Sequence, residues 1–331
     1  MRVPILGVSL LAATLGLAVA ARAEGADEQR QCAATSGVTL DQKLSACTAV
    51  ISAGAEDPHD LAVAYNHRGD SYLNKRELDR AIADYDQAIR LDPKFVFPLN
   101  GRGQAYQGKG LFDRAVAEFD QAIALNPDNA IPFNLRGNVY RAKGRYDRAI
   151  ADFDRATQLN PAYAAAYFNR ALAYQDKAQW DFDAYLNEGR YEELAIKDYD
   201  ETIRLAPANR AAFNNRGNVY MSKRQYDRAI EDYDEAVRLG PDQALYISNR
   251  GNALRVVGHR AIGDYRQALT LQLDAPTKQR IETAQGAWRS ELIKACRTAR
   301  RSRTAAARPP GCSPWRRSPA AFARCARHCA W

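Results

Sequence analysis

A period of 34 residues constrains this chain more than any other feature. The recurring element is a large residue followed three places later by Arg-Gly, then Tyr three places after the glycine. Ala stands twelve residues past the glycine, an aromatic at sixteen, Ala at nineteen and Pro at twenty-four. In the first copy these are Tyr65, Arg68, Gly69, Tyr72, Ala81, Tyr85, Ala88 and Pro93. The second carries Leu99, Arg102, Gly103, Tyr106, Ala115, Phe119, Ala122 and Pro127, and the third Phe133, Arg136, Gly137, Tyr140, Ala149, Phe153, Ala156 and Pro161. A fourth copy opens with Tyr167, Arg170, Ala171 and Tyr174 and, after about twelve extra residues, closes with Ala195, Tyr199, Thr202 and Pro207. The fifth is regular (Phe213, Arg216, Gly217, Tyr220, Ala229, Tyr233, Ala236, Pro241). The sixth keeps Arg250, Gly251, Ala261, Tyr265 and Ala268, but is two residues short at its inner turn, has Leu254 in the Tyr slot and lacks the proline.

Such a unit reads as two antiparallel helices. Gly or Ala at their contact lets the helices approach closely, the rings fill the space between them, and Pro ends the unit because it cannot continue a helix. One hairpin cannot bury its own apolar face, whereas stacked hairpins can. The pattern resembles the tetratricopeptide repeat. That resemblance implies an all-α, right-handed superhelical solenoid of about six antiparallel hairpins, with an N-terminal helix and a C-terminal capping helix. The repeats are expected at 62–95, 96–129, 130–163, 164–209 (holding the insertion), 210–243 and 244–275.

One slot departs from the family. Just before the glycine the family usually carries an aliphatic residue, but all six copies have Arg. Each also has an acid in its second half, at Asp84, Glu118, Asp152, Asp198, Asp232 and Asp264. Arg does not shed its charge, so a partly buried one calls for a carboxylate, and a ladder of pairs within the hairpins is expected. The alternative is a row of arginines lining an anion groove.

Residues three before the glycine, one after it and four after it share a face of the first helix, which in the family looks into the concavity. The first slot gives Asn66, Asn100, Asn134 and Asn214, and the second includes Gln104, Asn138, Asn218 and Asn252, with Asp70 in the first copy. Arg141 belongs to the third slot. Carboxamides donate and accept, which suits the backbone of an extended peptide, and the row is similar to amide ladders in some peptide-binding members of the family. Against this stands a plainer possibility, that Asn recurs as a copied residue solvating the face. The insertion at 178–189 holds Trp180, Phe182 and Tyr185. Either it lengthens the fourth hairpin's helices and buries those rings, or it projects as a contact site.

The formal charge of +8 belongs to the end of the chain. Residues 292–331 hold one Lys, nine Arg and no acid, leaving 37 basic against 39 acidic residues in 1–291, a net of −2. A nucleic-acid partner therefore does not follow from the overall charge. Residues 1–23 read as a signal peptide, with Arg2 ahead of an apolar run and small residues at Ala21 and Ala23; an uncleaved anchor is the rival. Cleavage would leave no membrane span and place the protein in the periplasm or outside the cell. There Cys32 and Cys47, within a segment 24–61, are expected to form a disulfide against a helix over 40–52, with two free buried thiols as the alternative. Residues 276–295 read as a capping helix. From 296 the chain turns to Arg, Ala, Pro, Ser, Cys and Trp without period, and reads as a basic disordered tail or as out-of-frame translation.

The sequence has no nucleophile elbow, P-loop, His-Glu-x-x-His or dinucleotide glycine fingerprint, and its four histidines are scattered. No catalytic residue, metal or cofactor is assigned. The resulting expectation is a non-enzymatic scaffold binding an extended peptide or partner protein. A cell-wall or polysaccharide accessory factor is the alternative, and an enzyme working through the insertion a weaker third.

Overall fold

The computed structural model describes residues 27–54, 57–180, 189–257, 262–271, 273 and 275–302. All regular structure among them is helical. A helical stretch over 27–33 precedes α1 (Leu40–Ala53). Four hairpins follow: α2 (Pro58–Asn74) with α3 (Leu78–Leu91), α4 (Val96–Gly108) with α5 (Phe112–Leu125), α6 (Ala130–Ala142) with α7 (Tyr146–Leu159), and α8 (Ala164–Trp180) with α9 (Arg190–Leu205). These lie in one compact unit that ends at Leu205. A second unit begins at Ala206 and contains α10 (Arg210–Ser222) with α11 (Tyr226–Leu239), α12 (Ala244–Val256) with α13 (Ile262–Leu269), and α14 (Ala275–Ser302).

Local sequence explains where each helix stops. Asp92, Asn126 and Asn160 stand before proline and adopt extended or near-extended backbone, as the proline ring demands of its predecessor. Their side chains accept from the amides of Lys94, Asp128 and Ala162, closing the turn between hairpins. Within a hairpin, the first helix ends at a left-handed residue: Gly110 (φ 74°) and Gly144 (φ 67°) in two copies, but Arg76 (φ 62°) and Arg224 (φ 58°) in two others. The next amide then reaches back to the recurring tyrosine's carbonyl, as Leu111 does to Tyr106 and Arg145 to Tyr140.

The core is the row of rings that the repeat promised. Tyr85, Phe119, Phe153, Tyr199, Tyr233 and Tyr265 are all fully or nearly fully buried. Each such ring contributes on the order of 1.5–3 kcal/mol by leaving water. A Cβ on Gly103 would stand 2.5 Å from the Phe119 ring, and one on Gly137 2.7 Å from Phe153, so the small residue is a steric necessity. Tyr85 is held from two sides, because a Cβ on Gly101, in the next hairpin, would lie 2.4 Å from it.

The ends of the array are covered differently. A disulfide joins Cys32 to Cys47, both buried, and ties the 27–33 stretch to α1. Leu44 of α1 packs on the Tyr72, Ala81 and Tyr85 cluster of the first hairpin. In the second unit Ile281 of α14 is buried with Val237, Ile247, Tyr265 and Ala268. That helix continues to Ser302, past the compositional break at 296. No described helix is long and apolar enough to cross a membrane. The signal segment 1–23, Phe182, Tyr185, the side chain of Trp180 and residues 303–331 lie outside what is described.

Candidate functional site

The arginine before each glycine fixes the second helix of its own hairpin. Arg68 grips Asp84 with Nε and Nη2 at 2.7 and 2.8 Å, and Arg136, Arg170, Arg216 and Arg250 hold Asp152, Asp198, Asp232 and Asp264 in the same two-pronged way. Arg102 uses one prong on Glu118, at 2.7 Å. The bond to Asp84 raises the Arg68 pKa above its ordinary value. Burial pushes the Asp152 and Asp198 carboxyls upward, partly offset by Arg136 and Arg170.

Sequence reasoning missed the other half of this ladder. The remaining Nη1 of Arg102 reaches back 16 residues to Asp86 at 2.6 Å, in the preceding hairpin. Arg136 does the same with Asp120, Arg170 with Asp154 and Arg250 with Asp234. Each of these arginines therefore pins two second helices together. Its signal was legible as an Asp two residues after every paired acid except Asp264. For Arg68 the backward partner is Thr48 of α1 at 3.3 Å, so α1 stands where an earlier second helix would. A second row of pairs joins Lys75, Lys109, Lys143 and Lys177, at the ends of first helices, to Asp41, Asp79, Asp113 and Asp147 in the first turns of preceding helices. Both charges complement helix dipoles there. The carboxylates are mostly in water, so each pair contributes little.

With the cations so engaged, the exposed side of the first helices becomes the candidate site. In the first unit α2 touches α4, α4 touches α6 and α6 touches α8. Asn66, Asn100, Asn134 and Asn214 do not lie open on this side; they are 3–5% exposed, set deep on their helices. Asn134 accepts from Asn169 at 2.9 Å and donates to the Tyr163 hydroxyl at 3.2 Å. Asn214 accepts from Asn249 at 2.8 Å. Both donors stand 35 residues farther on. At the corresponding places after Asn66 and Asn100 the chain has Gly101 and Leu135, and the Oδ1 atoms of Asn66 and Asn100 are buried without a partner.

The second slot splits by the ring it faces. Tyr85 donates to Asp70, Tyr233 to Asn218 and Tyr265 to Asn252, each at 2.8 Å. Burial pushes the Asp70 carboxyl above the usual carboxylate range, with the Tyr85 hydroxyl pulling it partly back. Phe119 and Phe153 have no hydroxyl to satisfy. Opposite them Gln104 makes one long bond, to the Asn100 carbonyl at 3.5 Å, and Asn138 has no hydrogen-bond partner among the described residues. Arg141, in the third slot, is paired with Asp176 at 2.9 Å. Beside the carboxamides stand Phe97, 59% exposed, and Ile131, 39% exposed, six residues before Gly103 and Gly137. Sequence reasoning overlooked this slot, although Val63, Phe97, Ile131 and Leu245 recur in it.

Of the insertion, residues 178–180 are helical and end α8. Helix α8 has 17 residues against 13 for α4 and α6. Tyr174 stacks on Tyr191 with centroids 6.2 Å apart, and Lys177 lies over the Tyr191 ring. Among the described residues no group of three or more His, Cys, Asp or Glu side chains is placed to hold a metal ion.

Profiles described as tetratricopeptide repeat match residues 62–95 and 211–243, 96–129, and 118–151, and one described as TPR repeat matches 137–177. No curated protein matches the chain at a significant level. Among solved structures, PilF of Pseudomonas aeruginosa is 19% identical with a TM-score of 0.57, the match covering 69% of this chain and 99% of that one. A tetratricopeptide repeat protein of Parabacteroides merdae is 17% identical with a TM-score of 0.53, covering 73% and 90%. The Cut9–Hcn1 structure is 15% identical with a TM-score of 0.57, covering 73% and 48%. At these identities the likeness is one of fold.

Proposed function

We propose that this chain, in which tetratricopeptide repeats are present, is a non-enzymatic scaffold that binds a partner protein through the exposed side of its first helices. One observation carries the reading. The recurring arginines of the first helices are engaged in holding hairpins together, while α4 and α6 leave carboxamides and apolar side chains to the outside. Such a surface offers contact area and backbone hydrogen bonding, and no group positioned for bond making. The partner is read as an extended segment lying across several first helices. Export to the periplasm or beyond is part of the proposal. The apolar N-terminal run and the Cys32–Cys47 disulfide support it, since such bonds persist in oxidising compartments.

The test is capture from an extract of the source organism by the immobilised full chain, with retained proteins identified by mass. Replacing both Gln104 and Asn138 with Ala should release a specific partner while leaving the melting temperature unchanged. A partner retained equally by both proteins would reject this surface, and retention of glycan in place of protein would favour the polysaccharide reading.

A further inference from the structure

The chemistry of the surface narrows what it can receive. Helices α4 and α6 together contain no acidic residue. Their three cations, Arg102, Arg136 and Arg141, are each tied to carboxylates from other helices. What remains on the exposed side is uncharged: Phe97, Gln104 and Gln107 from α4, with Ile131 and Asn138 from α6. Positions 97, 104 and 107, like 131 and 138, recur on one helical face. Neighbouring first helices differ. The surface of α2 carries the half-exposed Asp70 carboxylate, which takes Tyr85 and Asn66 as donors. On α10 and α12 the equivalent carboxamides, Asn218 and Asn252, are spent on tyrosine hydroxyls. The two phenylalanines in place of tyrosine, Phe119 and Phe153, are therefore what leaves Asn138 without a partner among the described residues and Gln104 with a single long bond to its own helix, in the same two hairpins that expose Phe97 and Ile131.

We infer that α4 and α6 receive an extended, uncharged peptide segment, its apolar side chains seated on Phe97 and Ile131 and its backbone amides met by Gln104 and Asn138. This rests on the proposed scaffold function and assigns it a place and a chemistry. Charge decides the specificity. An acidic or basic segment would lose hydration on this surface and find no free counter-charge, whereas a neutral segment gives up little. The backbone of an extended chain offers N–H and C=O groups in alternation, and a carboxamide satisfies both.

The experiment uses the full chain and an array of synthetic peptides in three sets sharing the same Leu and Phe positions. Between them stand Ser and Gln in the first set, Asp and Glu in the second, Lys and Arg in the third. The uncharged set should be retained at physiological salt. The Gln104→Ala, Asn138→Ala double variant should bind it about tenfold more weakly, as expected for two lost hydrogen bonds. Gln121→Ala, an exposed substitution on α5, should change nothing. Because a weakened fold would also weaken binding, Asn138→Lys serves as a second variant. It should move the preference towards the acidic set without loss of affinity overall. Preference of the unaltered protein for a charged set overturns the inference, and so does uncharged binding indifferent to both variants; the scaffold reading survives either result. Retention of no set would sink the inference and the peptide-groove reading together.

Discussion

At Arg76 and Arg224 the chain holds a left-handed backbone that the equivalent Gly110 and Gly144 adopt freely. A side chain there costs about 1 kcal/mol. Arg76→Gly should therefore raise stability to unfolding in urea by roughly that amount, less the extra entropy glycine gains when unfolded. Asp70 is the second informative residue. Its raised carboxyl pKa means that the protonated form is favoured by folding, so its contribution is present below the unfolded value near 3.9 and lost as pH rises through the folded one. Asp70→Asn mimics that form and keeps an acceptor for Tyr85, as Asn218 does for Tyr233. The variant should melt above the wild type at pH 7, and the difference should vanish on acidification below about pH 4. Neither feature was legible in the sequence. The turn conformation is set by helix closure, and the pairing of Tyr85 with Asp70 joins residues on two helices that only folding brings together.

Between elements, the arginine ladder decides register. The half that closes each hairpin was readable, because Arg and acid recur sixteen residues apart wherever the hairpin is regular. The half that joins hairpins was equally regular but went unread, since only the stacked geometry shows that Asp86 and Asp120 face the next arginine. Asp152→Ala leaves Arg136 partly buried with one of its two partners and should cost roughly 2–4 kcal/mol in urea unfolding. Adding Arg136→Met to Asp152→Leu should bring stability within about 1 kcal/mol of the wild type. The same stacking buries the Asn row. Asn66, Asn100, Asn134 and Asn214 lie on the expected side of their helices, but so near the neighbouring helix that they are buried. Gln104 and Asn138 stay partly exposed, and Phe119 and Phe153 across the hairpin offer them no hydroxyl.

For the whole molecule, the repeat pattern announced six hairpins and their ring core, and the structure has helices for all six. What it did not announce is how the ladder stops. At the start Thr48 takes the place of an acid, and after Asp264 the place of the next acid is held by Arg266, so no further hairpin is invited to pair. The Cys32–Cys47 bond holds the leading segment over this first junction. Replacing both cysteines with Ser should lower stability by about 3 kcal/mol, the value for a loop of this length, with amide exchange rising first in α1. Its compositional cue was readable only together with the apolar N-terminus, because the bond requires an oxidising compartment.

On the proposed reading, the partner lies on the first helices, over α4 and α6. A photo-activatable phenylalanine at Phe97 of the full chain, with the same probe at Gln121 on the second helix α5 for comparison, tests it in the cells that make the protein. A discrete covalent adduct is expected from position 97 and none from 121; an adduct from 121 with none from 97 would place the partner elsewhere.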